Sequence, residues 1–332
     1  MKAASSGLDG ICLGRTRRAV LLAQLAPSYM LHMASRRYRR QLREASPPGA
    51  VERARTRHSA AALDAWVSQL LSAYSDVTRS RLRRESGPLA VRYIRLMAAM
   101  NREYEYRLAT RQTLKLDEVC ASPLIAAGIQ EWERFSASHT DQPGIIGFLA
   151  CADFTQDYAE YVTVTTREGF NTDVGLQMES ISLDSGGYLA RLVRLIGEFN
   201  DGLPAVDVLR QVHDLGIAAK LTDEFTDLAT DYSEGRYNLL LAMLQQEPDE
   251  SAYVMRRLKS LLPMPLVWWQ REAPRTFGQF TCLYQQYYLR LRSPNLRRVC
   301  DTTMLRAMSG PKRRHGARPA QRVSEPPRDP WR

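Results

Sequence analysis

From Ala60 to about Met308 the chain repeats apolar residues at intervals of three and four, and this periodicity most narrows the folds open to it. Ala61–Tyr74 sets Leu63, Trp66, Val67, Leu70 and Leu71 on one face, and Pro88–Leu108 does the same with Leu89, Tyr93, Leu96, Met97 and Met100. Further helices are predicted over about 123–137, 144–160, 186–200, 204–246, 249–262, 276–292 and 295–308. Pro88, Pro123, Pro143 and Pro204 stand at or near helix starts, where a missing N–H is harmless. Only Tyr161–Thr166 (YVTVTT) favours a strand, and one short strand builds no sheet. The expectation is an all-α, single-domain helical bundle.

Charge divides the chain into three parts. Residues 1–60 hold 12 Lys/Arg against 3 Asp/Glu, and residues 301–332 hold 8 against 3. The 240 residues between carry 26 basic and 30 acidic side chains, so the formal charge of +10 belongs to the ends. Pro47-Pro48-Gly49 stops any preceding helix, and the stretch after Gly310 is rich in Pro, Arg, Ser and Gly. The domain reading is a basic N-terminal arm and linker over 1–58, a helical domain over 59–308 and a disordered basic tail over 309–332. The five scattered cysteines form no disulfide framework, and no apolar run reaches the ~18–20 residues of a membrane span. Arg15-Thr-Arg-Arg18 before Ala19–Pro27 is too short in its apolar part for an export leader and reads as a basic arm. A cytoplasmic protein without a transmembrane segment is expected.

The dispersed histidines and the lack of phosphate-binding glycine motifs leave carboxylates, arginines and aromatics to assemble any chemistry. One segment stands out. In Gly216–Leu240 (GIAAKLTDEFTDLATDYSEGRYNLL), Asp223, Asp227 and Asp231 recur at every fourth residue. Each step advances about 40° around a helix, so the carboxylates lie on one stripe about two turns long. Ile217, Leu221, Phe225 and Leu228 make the other side apolar, and the nearest bases are Lys220 and Arg236. Three like charges on oxygen ligands alone point to Mg²⁺, which recruits phosphate oxygens. A solvated acidic helix face has the same spacing and stays open at this point.

The segment resembles the second metal-binding motif of class I isoprenoid (terpene) synthases. Asp223-Glu-Phe-Thr-Asp227 resembles the D-D-x-x-D of head-to-tail prenyltransferases. Gly216-Ile-Ala, Asp227-x-x-x-Asp231 and Gly235-Arg236 resemble the squalene/phytoene synthase motif. The spacing of the three aspartates, with Gly235 and Asn238-Leu239 following, resembles N-x-x-x-S-x-x-x-E of terpene cyclases, with Asp227 in place of the Ser/Thr and Asp231 in place of the Glu. The resemblance implies a bundle with a central apolar cavity and a Mg²⁺-dependent lyase of isoprenoid biosynthesis. Its substrate would be a linear C15 or C20 prenyl diphosphate, ionised to a carbocation that cyclises.

The family also needs a facing acidic motif. Asn101 and Glu105 share one helix face at cyclase-like spacing, while Glu103 between them points elsewhere and could equally belong to a surface lattice with Arg107. Asp153 and Asp157 are the rival pair. Asp184-Ser-Gly-Gly187 matches the position of a helix break in the family, although no arginine stands just before it, and the Arg-Tyr pair common near the family's C-terminus is missing. The diphosphate-binding set implied is Lys220, Arg236, Tyr237 and Asn238, with Arg290 and Arg292 as the nearest C-terminal donors. Trp268, Trp269, Phe277 and Tyr284, with Phe280, Tyr287 and Tyr288, could wall a carbocation by cation–π contact or simply pack a core. A prenyltransferase of squalene/phytoene or chain-elongating type is the second expectation. From another class, a non-enzymatic helical protein would bind polyanions through its basic ends. Beyond the prenyl diphosphate, no specific nucleic acid is expected as partner, and a homodimer stays open.

Overall fold

The computed structural model describes residues 66–138, 152–259 and 271–308, with Leu149 and Trp269. The basic arm and linker over 1–58, the tail over 309–332 and Trp268 lie outside the described residues. Every described regular element is helical, as the periodicity predicts. In chain order these are α1 (66–78), α2 (Ser86–Ala109), α3 (Leu116–Cys120), α4 (Pro123–Ala137), α5 (Ala152–Thr165) and α6 (Val174–Ile181). A π-helical turn, Ser182–Gly187, then leads into α7 (Tyr188–Phe199) and α8 (Val206–Glu234). The remaining helices are α9 (Leu239–Gln245), α10 (Pro248–Lys259), α11 (Pro274–Arg290) and α12 (Pro294–Met308).

α8 is the axis of the bundle. The π turn, α7, α9, α11 and α12 all pack on it, while α2 closes on α4 and α7. Val212, Leu215, Ile217, Ala218, Leu221 and Leu228 of α8 are buried, and α7 meets them with Leu192, Val193, Leu195 and Ile196. The π turn crosses α8 at close quarters. A Cβ on Gly216 would lie 2.2 Å from the Ser185 carbonyl oxygen, and one on Gly186 would lie 2.7 Å from the His213 ring. Glycine at both positions is what lets the two backbones touch. Ser182 Oγ and His213 Nε2, 3.2 Å apart, tie the start of the turn to α8. Burial lowers the His213 pKa, against the opposing pull of Asp214.

Two expectations need correction. Tyr161–Thr165 is helical, forming the end of α5, and Thr166 is the turn residue that follows it. The hydroxyls of Thr163, Thr165 and Thr166 donate to the carbonyls of Ala159, Tyr161 and Val162 at 2.7–2.8 Å, which accommodates a β-branched run in a helix. Tyr158, Tyr161 and Val164 bury one face at helical spacing. The predicted 204–246 helix is two helices. Gly235 adopts φ +68° as the C-cap of α8, and Asn238 opens α9 by accepting the Leu240 N–H at 3.0 Å. The expected 186–200 helix is present as α7, and α6 is an additional helix before it, which Asp173 caps by accepting the Leu176 N–H at 3.0 Å. Among the described residues, Cys120, Cys282 and Cys300 are free thiols, and no helix is long and apolar enough to cross a membrane.

Candidate functional site

The polar residues converge where the C-terminal half of α8 meets α2, the π turn and the α8–α9 connection. Asp223, Asp227 and Asp231 all lie on α8 within one stripe. The Asp223 carboxylate is 55% exposed, and Asp231 is half-buried with Oδ2 accepting from Asn238 Nδ2 at 2.9 Å. The Asp227 side chain is outside the described set. Eight residues of helix separate Asp223 from Asp231 by about 12 Å, too far to share one ion.

Lys220 stands at the head of the stripe. Its Nζ is 3.0 Å from Glu224 Oε1 and 4.0 Å from Asp223 Oδ2. Burial works against the ammonium, but the charges of Glu224 and then Asp223 outweigh it and hold the Lys220 pKa above its ordinary value. The side chain keeps 30% of its surface exposed. Glu224, only 3% exposed, also accepts the Leu239 N–H at 2.7 Å, and its own carbonyl accepts from Asn238 Nδ2 at 3.0 Å. Glu224 and Asn238 therefore clamp α9 to α8 and fix the short connection that carries Arg236 and Tyr237.

The first-motif residues arrive from α2. Asn101 Nδ2 donates to Asp184 Oδ1 at 2.9 Å, and Glu105 Oε2 lies 3.4 Å from Arg236 Nη1. The shared face predicted for Asn101 and Glu105 is thus turned to the π turn and to the end of the aspartate helix. Burial raises the Asp184 pKa, although Asn101 and Lys220 favour its charged form. The Tyr161 and Tyr237 hydroxyls, 3.2 Å apart, add a phenol pair whose pKa values burial raises. Phe170 meets Tyr237 edge-on at 5.0 Å between ring centroids.

Other expected site residues are held elsewhere. Glu103 accepts from Arg107 Nε at 2.7 Å, and Arg107 reaches on to the Thr113 and Glu118 carbonyls, so Glu103 belongs to a lattice with the α2–α3 connection. Of the rival pair, Asp157 is ion-paired with Arg191 and Asp153 lies 3.5 Å from Arg194, both on α7. Arg290 pairs with Asp214 at 3.7 Å and Arg292 with Asp207 at 3.5 Å, which ties them to the N-terminal half of α8. Trp269, Phe277 and Phe280 enclose Phe225 at centroid distances of 5.6, 6.4 and 4.3 Å on the apolar side of α8. All three are at most 5% exposed and form close-packed core there. Tyr284 stacks on Tyr288, whose hydroxyl donates to Asp301 at 2.8 Å. The site residues that sequence reasoning missed are Tyr161 and Glu224, together with Asp184 as a partner of Asn101. The spacing of Tyr158, Tyr161 and Val164 was the available signal for the first.

Among the described residues, no three His, Cys, Asp or Glu side chains converge as a metal cluster. The donor set along the stripe is nevertheless all carboxylate oxygen with two cations beside it, which suits hard, partly hydrated Mg²⁺ bridging to phosphate and not a soft metal. Comparison of the chain with protein-family models, curated proteins and solved structures returns no match.

Proposed function

We propose that the chain is a Mg²⁺-dependent class I terpene synthase acting on a linear C15 or C20 prenyl diphosphate. The observation that carries this reading is the joint placement of the aspartate stripe, the Asn101–Glu105 face, Lys220 and Arg236 at one end of the bundle. Asp223, Asp227 and Asp231 would hold Mg²⁺, which supplies charge neutralisation for the diphosphate leaving group. Lys220 and Arg236 would bind diphosphate oxygens directly and favour ionisation of the allylic C–O bond. Asn238, with its amide on Asp231, orients that carboxylate. Tyr161, Tyr237 and Phe170 are aromatic groups beside this polar end, and their faces would stabilise a nearby cation by about 0.5–2 kcal/mol each. The cyclase reading is preferred to a prenyltransferase because the first motif lacks the D-D-x-x-D of chain elongation.

The test is incubation of the full chain with Mg²⁺ and C10, C15 or C20 prenyl diphosphates, reading diphosphate release and volatile products. Release from one allylic substrate alone is expected, and Asp227→Ala abolishes it. Release only with added isopentenyl diphosphate turns the reading to chain elongation. No release with any combination overturns it.

A further inference from the structure

At the end of the bundle away from the site, three corners of the chain touch in a ring. The corner before α2 meets the one before α8, where Asn200 Oδ1 accepts the Arg83 N–H at 2.6 Å and Asp201 pairs with the Arg83 guanidinium at 2.5 Å. The start of α8 meets the α11–α12 corner, where Gln211 Oε1 accepts the N–H groups of Arg292 and Ser293 at 2.8 and 3.0 Å. The ring closes where Asn295 donates to Asp76 at 2.8 Å. About 15 residues of α2 and of α8, some 20–25 Å of helix, separate this end from Asn101 and Asp223.

Two properties coincide on it. Residues 76–85, 200–207 and 289–298 hold eight arginines against four carboxylates. Three of those carboxylates, Asp76, Asp201 and Asp207, are engaged within the ring, whereas Arg79, Arg81 and Arg84 are exposed. Among the described residues, five large apolar side chains are strongly exposed, and three of them lie here: Leu203 at 69%, Leu289 at 66% and Val206 at 64%.

We infer that this end is a docking face for an anionic lipid bilayer. Arginines attract anionic headgroups, and their stems extend along apolar surface while the guanidinium stays in the headgroup layer. Aliphatic side chains beside them enter the boundary with the acyl chains, as in interfacial helices. A nucleic acid would use the arginines but offers nothing to three aliphatic side chains, since its bases are gripped by stacking and hydrogen bonds. The inference goes beyond the proposed turnover and is independent of it, because it concerns the opposite end and reads membrane partition.

The test is co-sedimentation of the full chain with vesicles of phosphatidylcholine containing phosphatidylserine, and with phosphatidylcholine vesicles alone. Two variants are compared with the unchanged chain, L203S/V206S/L289S and R79Q/R81Q/R84Q, each checked for an unaltered melting transition. Binding to the anionic vesicles that falls with added salt is expected, and each variant should lower the partition coefficient about tenfold. Failure of the unchanged chain to bind, or binding by either variant as strong as that of the unchanged chain, overturns the inference. Binding to duplex RNA that only the arginine variant weakens, without vesicle partition, reassigns the face to nucleic acid.

Discussion

Asp223 and Glu224 are adjacent carboxylates with different environments, and the difference separates ligand from scaffold. Asp223 is 55% exposed, whereas Glu224 is 3% exposed and holds both Lys220 and the Leu239 N–H. Removing Glu224 leaves a buried amide donor unsatisfied and the lysine without its nearest counter-charge. Glu224→Ala should therefore cost at least about 2 kcal/mol in a urea unfolding series. Asp223→Ala removes an exposed group and should change stability by less than about 0.5 kcal/mol. Its effect should appear in diphosphate release, with a loss of at least about 100-fold. If Asp223→Ala keeps full turnover, the stripe is a solvated face and not a metal site. Sequence spacing identified the stripe but could not rank these two residues, because only the fold of α9 back onto α8 decides which carboxylate is covered.

At the scale of elements, the crossing of the π turn over α8 positions Asp184 against Asn101 and beside Lys220. Gly186 and Gly216 allow that approach, and both are visible in the sequence as Asp184-Ser-Gly-Gly187 and Gly216-Ile-Ala. Their pairing across 30 residues of chain is a tertiary fact with no local signature. The same holds for α5, where β-branched residues favoured a strand until packing of Tyr158, Tyr161 and Val164 decided otherwise. Two glycines offer a controlled comparison. Gly216→Ala would drive a Cβ to 2.2 Å from a backbone oxygen, and about 3 kcal/mol of destabilisation is expected. Gly278 on α11 has no neighbouring atom within 4 Å of an added Cβ, so Gly278→Ala should stabilise by about 0.5–1 kcal/mol. Denaturant midpoints of the two variants should move in opposite directions. Midpoints that move together would show that the crossing tolerates separation.

Across the whole molecule, helical periodicity made the all-α class and most helix positions legible, since one-sided burial leaves a three-and-four pattern wherever a helix packs on one neighbour. α8 is harder to read because the π turn, α7, α9, α11 and α12 surround it, and its apolar residues continue past Gly235 into α9 without a change of pattern. The far-separated arginines illustrate the other limit. Arg290 and Arg292 were expected at the diphosphate, but α11 runs alongside α8 and delivers them to Asp214 and Asp207 instead. The cations left for the site are Lys220 and Arg236, and that sets the last expectation. With so little positive charge of its own against three aspartates, the site should bind diphosphate only together with Mg²⁺. Ligand binding to the folded state at about 100 times its Kd adds about 2.7 kcal/mol of stability. For a domain of this size that corresponds to a rise in Tm of about 5–10 °C. Inorganic diphosphate with Mg²⁺ should give that rise in a thermal melt, and diphosphate with a chelator should give none. Asp231→Asn, which keeps the Asn238 contact while removing a charge, should reduce the rise by more than half. An equal rise without Mg²⁺ would place diphosphate on Lys220 and Arg236 alone and remove the metal from the site.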